Sequence, residues 1–181
     1  MKVVLKNVRL RFHDLWEAKS VMGSAPKYGA TFIIEPGSQN HKDLEQTIKE
    51  CAALQWKTKA SEVLESIRPN SNKFPLREGK EKPNVSGYEN MFFIGAKNAD
   101  RVRILDSDKT ELTQEDGRIY PGCYVHASID VYATAKYGNQ IAARLDGLMF
   151  VRDGDHFTAG VTFNPNDFDD LSEGGLLEEF A

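Results

Sequence analysis

Hydrophobic and polar positions alternate with a period of two along several short stretches, and with a helical period along one. Residues 3–12 (VVLKNVRLRF) put Val8, Leu10 and Phe12 on one side and Asn7, Arg9 and Arg11 on the other, which predicts a half-buried strand. Residues 27–34 (KYGATFII) predict a second strand, stopped by Pro36-Gly37. Between them, His13 to Pro26 is expected to be a loop, with Gly23 and Pro26 as breakers.

The period then changes. From about 40 to 67, Leu44, Ile48, Cys51, Ala52, Val63, Leu64 and Ile67 recur at helical spacing. Asn40 is the expected N-cap, with Asp43 in the first turn. Lys57-Thr58-Lys59 marks a division into two helices, and Arg68-Pro69 ends them. Residues 68–86 hold three prolines and no period, which predicts a long, mobile, net basic loop carrying Arg68, Lys73, Arg77, Lys80 and Lys82. Strand patterns resume at 88–97 and 101–106. Residues 123–133 alternate most cleanly, with Cys123, Val125, Ala127, Ile129 and Val131 on one face. After a turn at Tyr137-Gly138-Asn139, residues 140–152 predict a last strand with a bend at Gly147.

The fold class implied is mainly β. A small Greek-key barrel of the OB type fits the strand count, with a helical insertion after the second strand. Residues 1–165 are read as one domain and residues 166–181 as a disordered acidic tail.

Charge sharpens that division. The chain carries 23 Lys and Arg against 27 Asp and Glu. Six of the acids (Asp167, Asp169, Asp170, Glu173, Glu178 and Glu179) lie in the tail, which has no basic residue, so the body keeps 21 acids and a small positive excess. Such asymmetry is a mark of nucleic-acid work or partner docking. No apolar run is long enough to span a bilayer, and the N-terminus does not read as a signal peptide, so the expected location is cytoplasmic with no membrane contact. Cys51 and Cys123 both sit in apolar patterns and are expected as free thiols.

Catalytic chemistry finds little support. The four His are scattered, neither Cys has metal-ligand spacing with a His, and there is no nucleophile elbow or phosphate-binding glycine loop. No cofactor is implied. Asp106-Ser107-Asp108 and Asp153-Gly154-Asp155 leave open a metal-dependent nuclease, although acidic turn residues commonly serve the turn itself. A structural β-protein of a virion is the other alternative.

Basic residues beside aromatics point elsewhere. A protein that holds a single nucleic-acid strand without reading it needs cations for phosphates and flat rings for base faces. Lys19, Lys27, Lys73, Arg77, Lys97 and Lys136 are the phosphate candidates. Trp16, Tyr28, Phe93, Tyr124 and Tyr132 are the stacking candidates, whereas Phe12, Phe32, Phe92 and Phe150 are expected in the core. In the tail, Phe168, Leu171, Leu176, Leu177 and Phe180 stand among acids that include Asp169, Asp170, Glu178 and Glu179. That pattern suits docking in a basic-rimmed apolar pocket of a partner, or competition for the chain's own cationic groove.

Several landmarks carry a resemblance. They are Asn7-Val8-Arg9-Leu10-Arg11-Phe12 with Leu15-Trp16-Glu17, Lys27-Tyr28-Gly29-Ala30-Thr31-Phe32, Pro75-Leu76-Arg77-Glu78-Gly79, Gly87-Tyr88-Glu89, and Tyr120-Pro121-Gly122-Cys123-Tyr124-Val125. In this order they resemble a family of phage-encoded single-stranded-DNA-binding proteins. The resemblance implies an OB-fold with a helical insertion, sequence-tolerant binding of single strands, and a role in phage DNA replication or recombination. The tail is similar in style to those of single-strand binders generally, which implies replication or recombination proteins as its partners. It departs from their pattern in that Ala181 follows Phe180.

Overall fold

The computed structural model describes residues 1–157. Seven strands form one sheet: β1 (Lys2–Lys19), β2 (Lys27–Ile34), β3 (Leu76–Glu78), β4 (Phe92–Asn98), β5 (Arg103–Leu105), β6 (Tyr124–Thr134) and β7 (Gln140–Arg152). They lie in the order β3-β4-β2-β1-β6-β7-β5, and β4 also meets β7, at Lys97 and Arg144. That contact closes β1, β2, β4, β7 and β6 into a five-stranded barrel, the strand arrangement of an OB-fold. Between β2 and β3 stand α1 (Gln39–Trp56) and α2 (Ala60–Ile67), joined by a 3-10 turn at Lys57–Lys59.

Alternation along the strands fills the barrel. Leu5, Leu10, Phe32, Ile94, Val125, Ala127, Ile129 and Leu145 are wholly buried, and Leu44, Ile48, Cys51 and Ala52 of α1 extend the same core. Both cysteines are free and buried, as small hydrophobes.

β1 is longer than its pattern suggests and runs through much of the expected 13–26 loop. Three irregularities interrupt its pairing, the last of them between Asp14 and Lys19. The first lies between Leu5 and Val8, where Asn7 takes φ 53°. The ladder groups freed there are met by side chains. The Lys6 amide donates to Asn40 Oδ1 at 2.9 Å, Asn40 Nδ2 donates to the Lys6 carbonyl at 2.8 Å, and the Asn7 amide donates to His126 Nδ1 at 2.9 Å. Asn40 therefore ties α1 to β1, and the N-cap is Ser38, whose Oγ accepts from the His41 amide. The second irregularity makes Arg11 the extra residue, so Phe12 pairs with Thr31 on the outer side of the barrel. Phe12 is thus 45% exposed, against its expected place in the core. Phe32 and Phe150 are core residues, and Phe92 is half-buried against the core and stacked on His41.

The stretch 68–86 departs from a mobile basic loop. Phe74 and Leu76 are buried, β3 pairs with β4, and most charges are matched. Arg68 makes two bonds to the Glu45 carboxylate and covers the Phe74 ring, Arg77 pairs with Glu81, and Lys80 pairs with Glu78. Lys73 and Lys82 have no ion pair among the described residues.

Asn40 supplies a prediction. Asn40→Ala removes two hydrogen bonds and leaves strand groups unpaired, so a urea melt should show a loss of about 1–2 kcal/mol. A change within experimental error would mean that the irregularity at Asn7 needs no such support.

Candidate nucleic-acid interface

Residues of β2 and β4 alternate between the barrel interior and its outer wall. Tyr28, Ala30 and Phe32 pair with Asn98, Ala96 and Ile94 on the inner side. Gly29, Thr31 and Ile33 pair with Lys97, Gly95 and Phe93 on the outer side. Barrel closure sets this outer wall beside Tyr132 of β6 and Gln140 of β7. The result is a groove of about 540 Å³ whose lining also includes Asn72 and Lys82.

Lys27, Lys82 and Lys97 line this groove, are exposed, and have no ion pair among the described residues. Tyr132, 44% exposed, lines it as well. Glu81 is an acidic residue on the wall, and the Arg77 guanidinium neutralises it there. In the turn after β6, between groove-lining Tyr132 and Gln140 in sequence, Tyr137 is 81% exposed with Lys136 Nζ 5.4 Å from its ring centre.

The candidate residues sort unevenly onto this surface. Lys27, Lys97 and Tyr132 come together in the groove, and Lys73 and Lys136 lie on the segments that border it. Arg77 is not a free cation. It is 8% exposed, bonds both Glu81 oxygens at 2.8 and 3.0 Å, and donates to the Arg68 and Pro69 carbonyls. Phe93 is not an uncovered ring. It is 7% exposed and stacked parallel to Tyr88 at 4.3 Å, so it shapes the groove's edge from within a small outer cluster. Tyr28 packs against the core from the inner side of β2. Trp16 also packs against the core, and it borders a separate cavity with Arg101 and Arg103. Lys19 stands 3.6 Å from Asp14. Tyr124 lies outside the groove, with the Arg152 guanidinium 3.7 Å from its ring centre.

Other groove residues stand out less in the sequence. Lys82 is one charge among several in an aperiodic stretch, and Gln140 carries no local signal. Gly95 was legible in principle, as a glycine in the middle of a strand pattern.

Arg9 and Arg11 point outward from β1 but are engaged. Their guanidiniums cover the Phe157 ring at 4.0 and 4.3 Å, while Arg9 also donates to the Gly122 and Asp155 carbonyls and Arg11 to that of Ser86. Burial pushes the neighbouring Tyr88 phenol up to about 12, so it stays neutral within its cluster.

The acidic turns have structural duties. Asp106 accepts from the Ser107 amide and from Arg118, Asp108 accepts from both polar groups of Thr110, and Asp153 accepts from the Tyr120 hydroxyl. The Thr110 bonds hold the Asp108 carboxyl below its ordinary range. Among the described residues no three His, Cys, Asp or Glu side chains are grouped to hold a metal ion, and no helix is long and apolar enough to cross a membrane. The expected tail residues Phe168, Asp169, Asp170, Leu176, Leu177, Glu178, Glu179 and Phe180 lie outside the described residues.

Barrel, helical insertion and cationic groove together define an OB-fold protein whose outer wall suits an extended polyanion. The family described as "Enterobacter phage Enc34, ssDNA-binding protein" matches residues 1–177, and the chain belongs to that family. It is 39% identical over 176 residues to putative protein p50 of Acyrthosiphon pisum secondary endosymbiont phage 1, covering 95% of each chain. Among solved structures it is similar to the single-stranded DNA-binding protein from bacteriophage Enc34 in complex with ssDNA. That match has a TM-score of 0.72 at 21% identity, over 87% of this chain and 89% of the other. It is also similar to gp2.5, a single-stranded DNA-binding protein encoded by bacteriophage T7, with a TM-score of 0.59 at 10% identity, over 90% and 98% of the two chains.

The role of Arg77 is testable. Arg77→Leu leaves Glu81 and two carbonyls without their donor, and should lower stability by about 2 kcal/mol in a urea melt. Glu81→Gln in the same background should recover part of the loss. A fully stable Arg77→Leu protein would return Arg77 to the list of free cations.

Proposed function

We propose that this chain binds single-stranded DNA without reading its sequence, in phage DNA replication or recombination. It does so in the host cytoplasm, as a binder rather than an enzyme. The observation that carries this reading is the groove itself: three unpaired lysines, Lys27, Lys82 and Lys97, around an exposed ring, Tyr132, on the outer wall of the barrel. Lysines there neutralise phosphates and release the cations condensed on the strand. A ring presents a face to any base, which gives affinity without sequence preference. Lys73 and Lys136, with the exposed Tyr137, extend the path along the segments that border the groove. Family membership and the likeness to solved single-strand binders support the same reading.

The domain proper is residues 1–165. Residues 166–181 recruit replication or recombination proteins through apolar anchors among acids, and compete with DNA for the groove when no partner is bound.

Binding to fluorescent oligo-dT should weaken steeply with salt. Replacing Lys27, Lys82 and Lys97 together by Gln should lower the slope of log affinity against log salt by about 2, at about 0.7 per phosphate contact. Tyr132→Ala should cost about 1–3 kcal/mol of binding with that slope unchanged. Affinity indifferent to salt would contradict the phosphate role. Truncation after Pro165 should tighten binding at low salt; unchanged or weaker affinity would contradict competition by the tail.

A further inference from the structure

The outer wall of β2 and β4 contains two glycines, and their surroundings differ. A Cβ on Gly29 would stand 3.0 Å from the Ala96 carbonyl oxygen and 3.1 Å from Lys97 Cγ, so packing explains that glycine. Gly95 has no such explanation. Its φ is not positive, and a Cβ there would have one neighbour within 4 Å, Thr31 Oγ1 at 3.8 Å. Glycine in the interior of a strand weakens it, because it loses more backbone freedom on folding and has no side chain to pack. Position 95 is central in β4, paired on the outer wall with Thr31, where a β-branched residue would favour the strand. The fold gains nothing from the missing side chain.

What the missing side chain leaves open is the floor of the groove. Gly95 lies two residues from Lys97 on one side and two from Phe93 on the other, and all three face the groove. Thr31, its cross-strand partner, is half-buried. Bare backbone at this point provides a flat bed between a cation and an aromatic edge. A cation fixes a phosphate but not the base attached to it. A flat, uncharged bed accepts any base and selects none.

We infer that Gly95 is a positioning residue for single-stranded DNA: its bare backbone seats one base flat on the β2–β4 wall while Lys97 holds the neighbouring phosphate. The inference rests on the single-strand-binding reading and adds to it a place where the base, not the phosphate, is received.

Gly95→Ala and Gly95→Val test it in the full-length protein. Both variants should melt at or above the wild-type temperature. Affinity for oligo-dT should fall about 2–3-fold for the alanine and at least 10-fold for the valine, the larger loss corresponding to about 1.4 kcal/mol. The slope against salt should stay at the wild-type value, because the lysines are untouched. An oligonucleotide of abasic sites should bind wild type and Gly95→Val equally, since it has no base to seat. The inference is overturned if folded Gly95→Val binds oligo-dT as tightly as wild type, or if its loss is the same on the abasic strand. It is equally overturned if Gly95→Val fails to fold, which would make the glycine a packing requirement. Wild-type protein that binds no oligonucleotide would instead overturn the binding reading itself.

Discussion

The short parallel contact between β4 and β7, at Lys97 and Arg144, is the constraint on which the rest of the structure depends. Without it the sheet would be an open, twisted ribbon, with β4 near one edge and β7 near the other. With it the sheet becomes a barrel whose inner faces meet around Leu5, Phe32, Ile94 and Val125, all fully buried. The same contact has an outward consequence. It sets the cationic wall of β2 and β4 beside the aromatic and amide side chains of β6 and β7. Neither half would be a groove alone: one supplies charge on a smooth floor, and the other supplies a ring.

Electrostatics explain how a chain of net charge −4 can present a surface to a polyanion. Glu45 is matched by Arg68, Glu78 by Lys80, Glu81 by Arg77, Glu111 by Arg103, and both Asp130 and Asp146 by Arg144. Arginine, with its planar fork of donors, takes most of this pairing. The groove is left to lysine, a mobile point charge suited to following a phosphate backbone whose bases vary.

Much of this was legible in the sequence, and the failures have physical causes. β6 alternates without interruption, so Cys123 to Val131 could be assigned to a face by counting. β1 could not, because the irregularities after Leu5 and after Leu10 each shift the count by one. The one at Arg11 turns Phe12 from the inside to the outside. The helix after β2 is evident from its period, but its cap is not, since Asn40 serves a strand four residues after its start and Ser38 caps the helix. Among the candidates the groove brings together, Lys97 and Tyr132 follow from alternation along their strands, and Lys27 from its place beside an aromatic at a strand start. Arg77 and Phe93 do not, because their covering partners, Glu81 and Tyr88, come from a segment whose aperiodic sequence concealed its packing. Composition gave that segment's charge, but only the fold shows which charges are already matched.

The central claim is that one wall of the barrel, bounded by β2, β4 and the turn between β6 and β7, receives the strand. Amide chemical-shift mapping of the full-length protein titrated with oligo-dT tests it most directly. The account predicts that the largest shifts fall at Thr31, Gly95, Lys97 and residues 132–142. Shifts concentrated instead around Val4, Leu105 and Met149, an apolar patch elsewhere on the barrel, would contradict it.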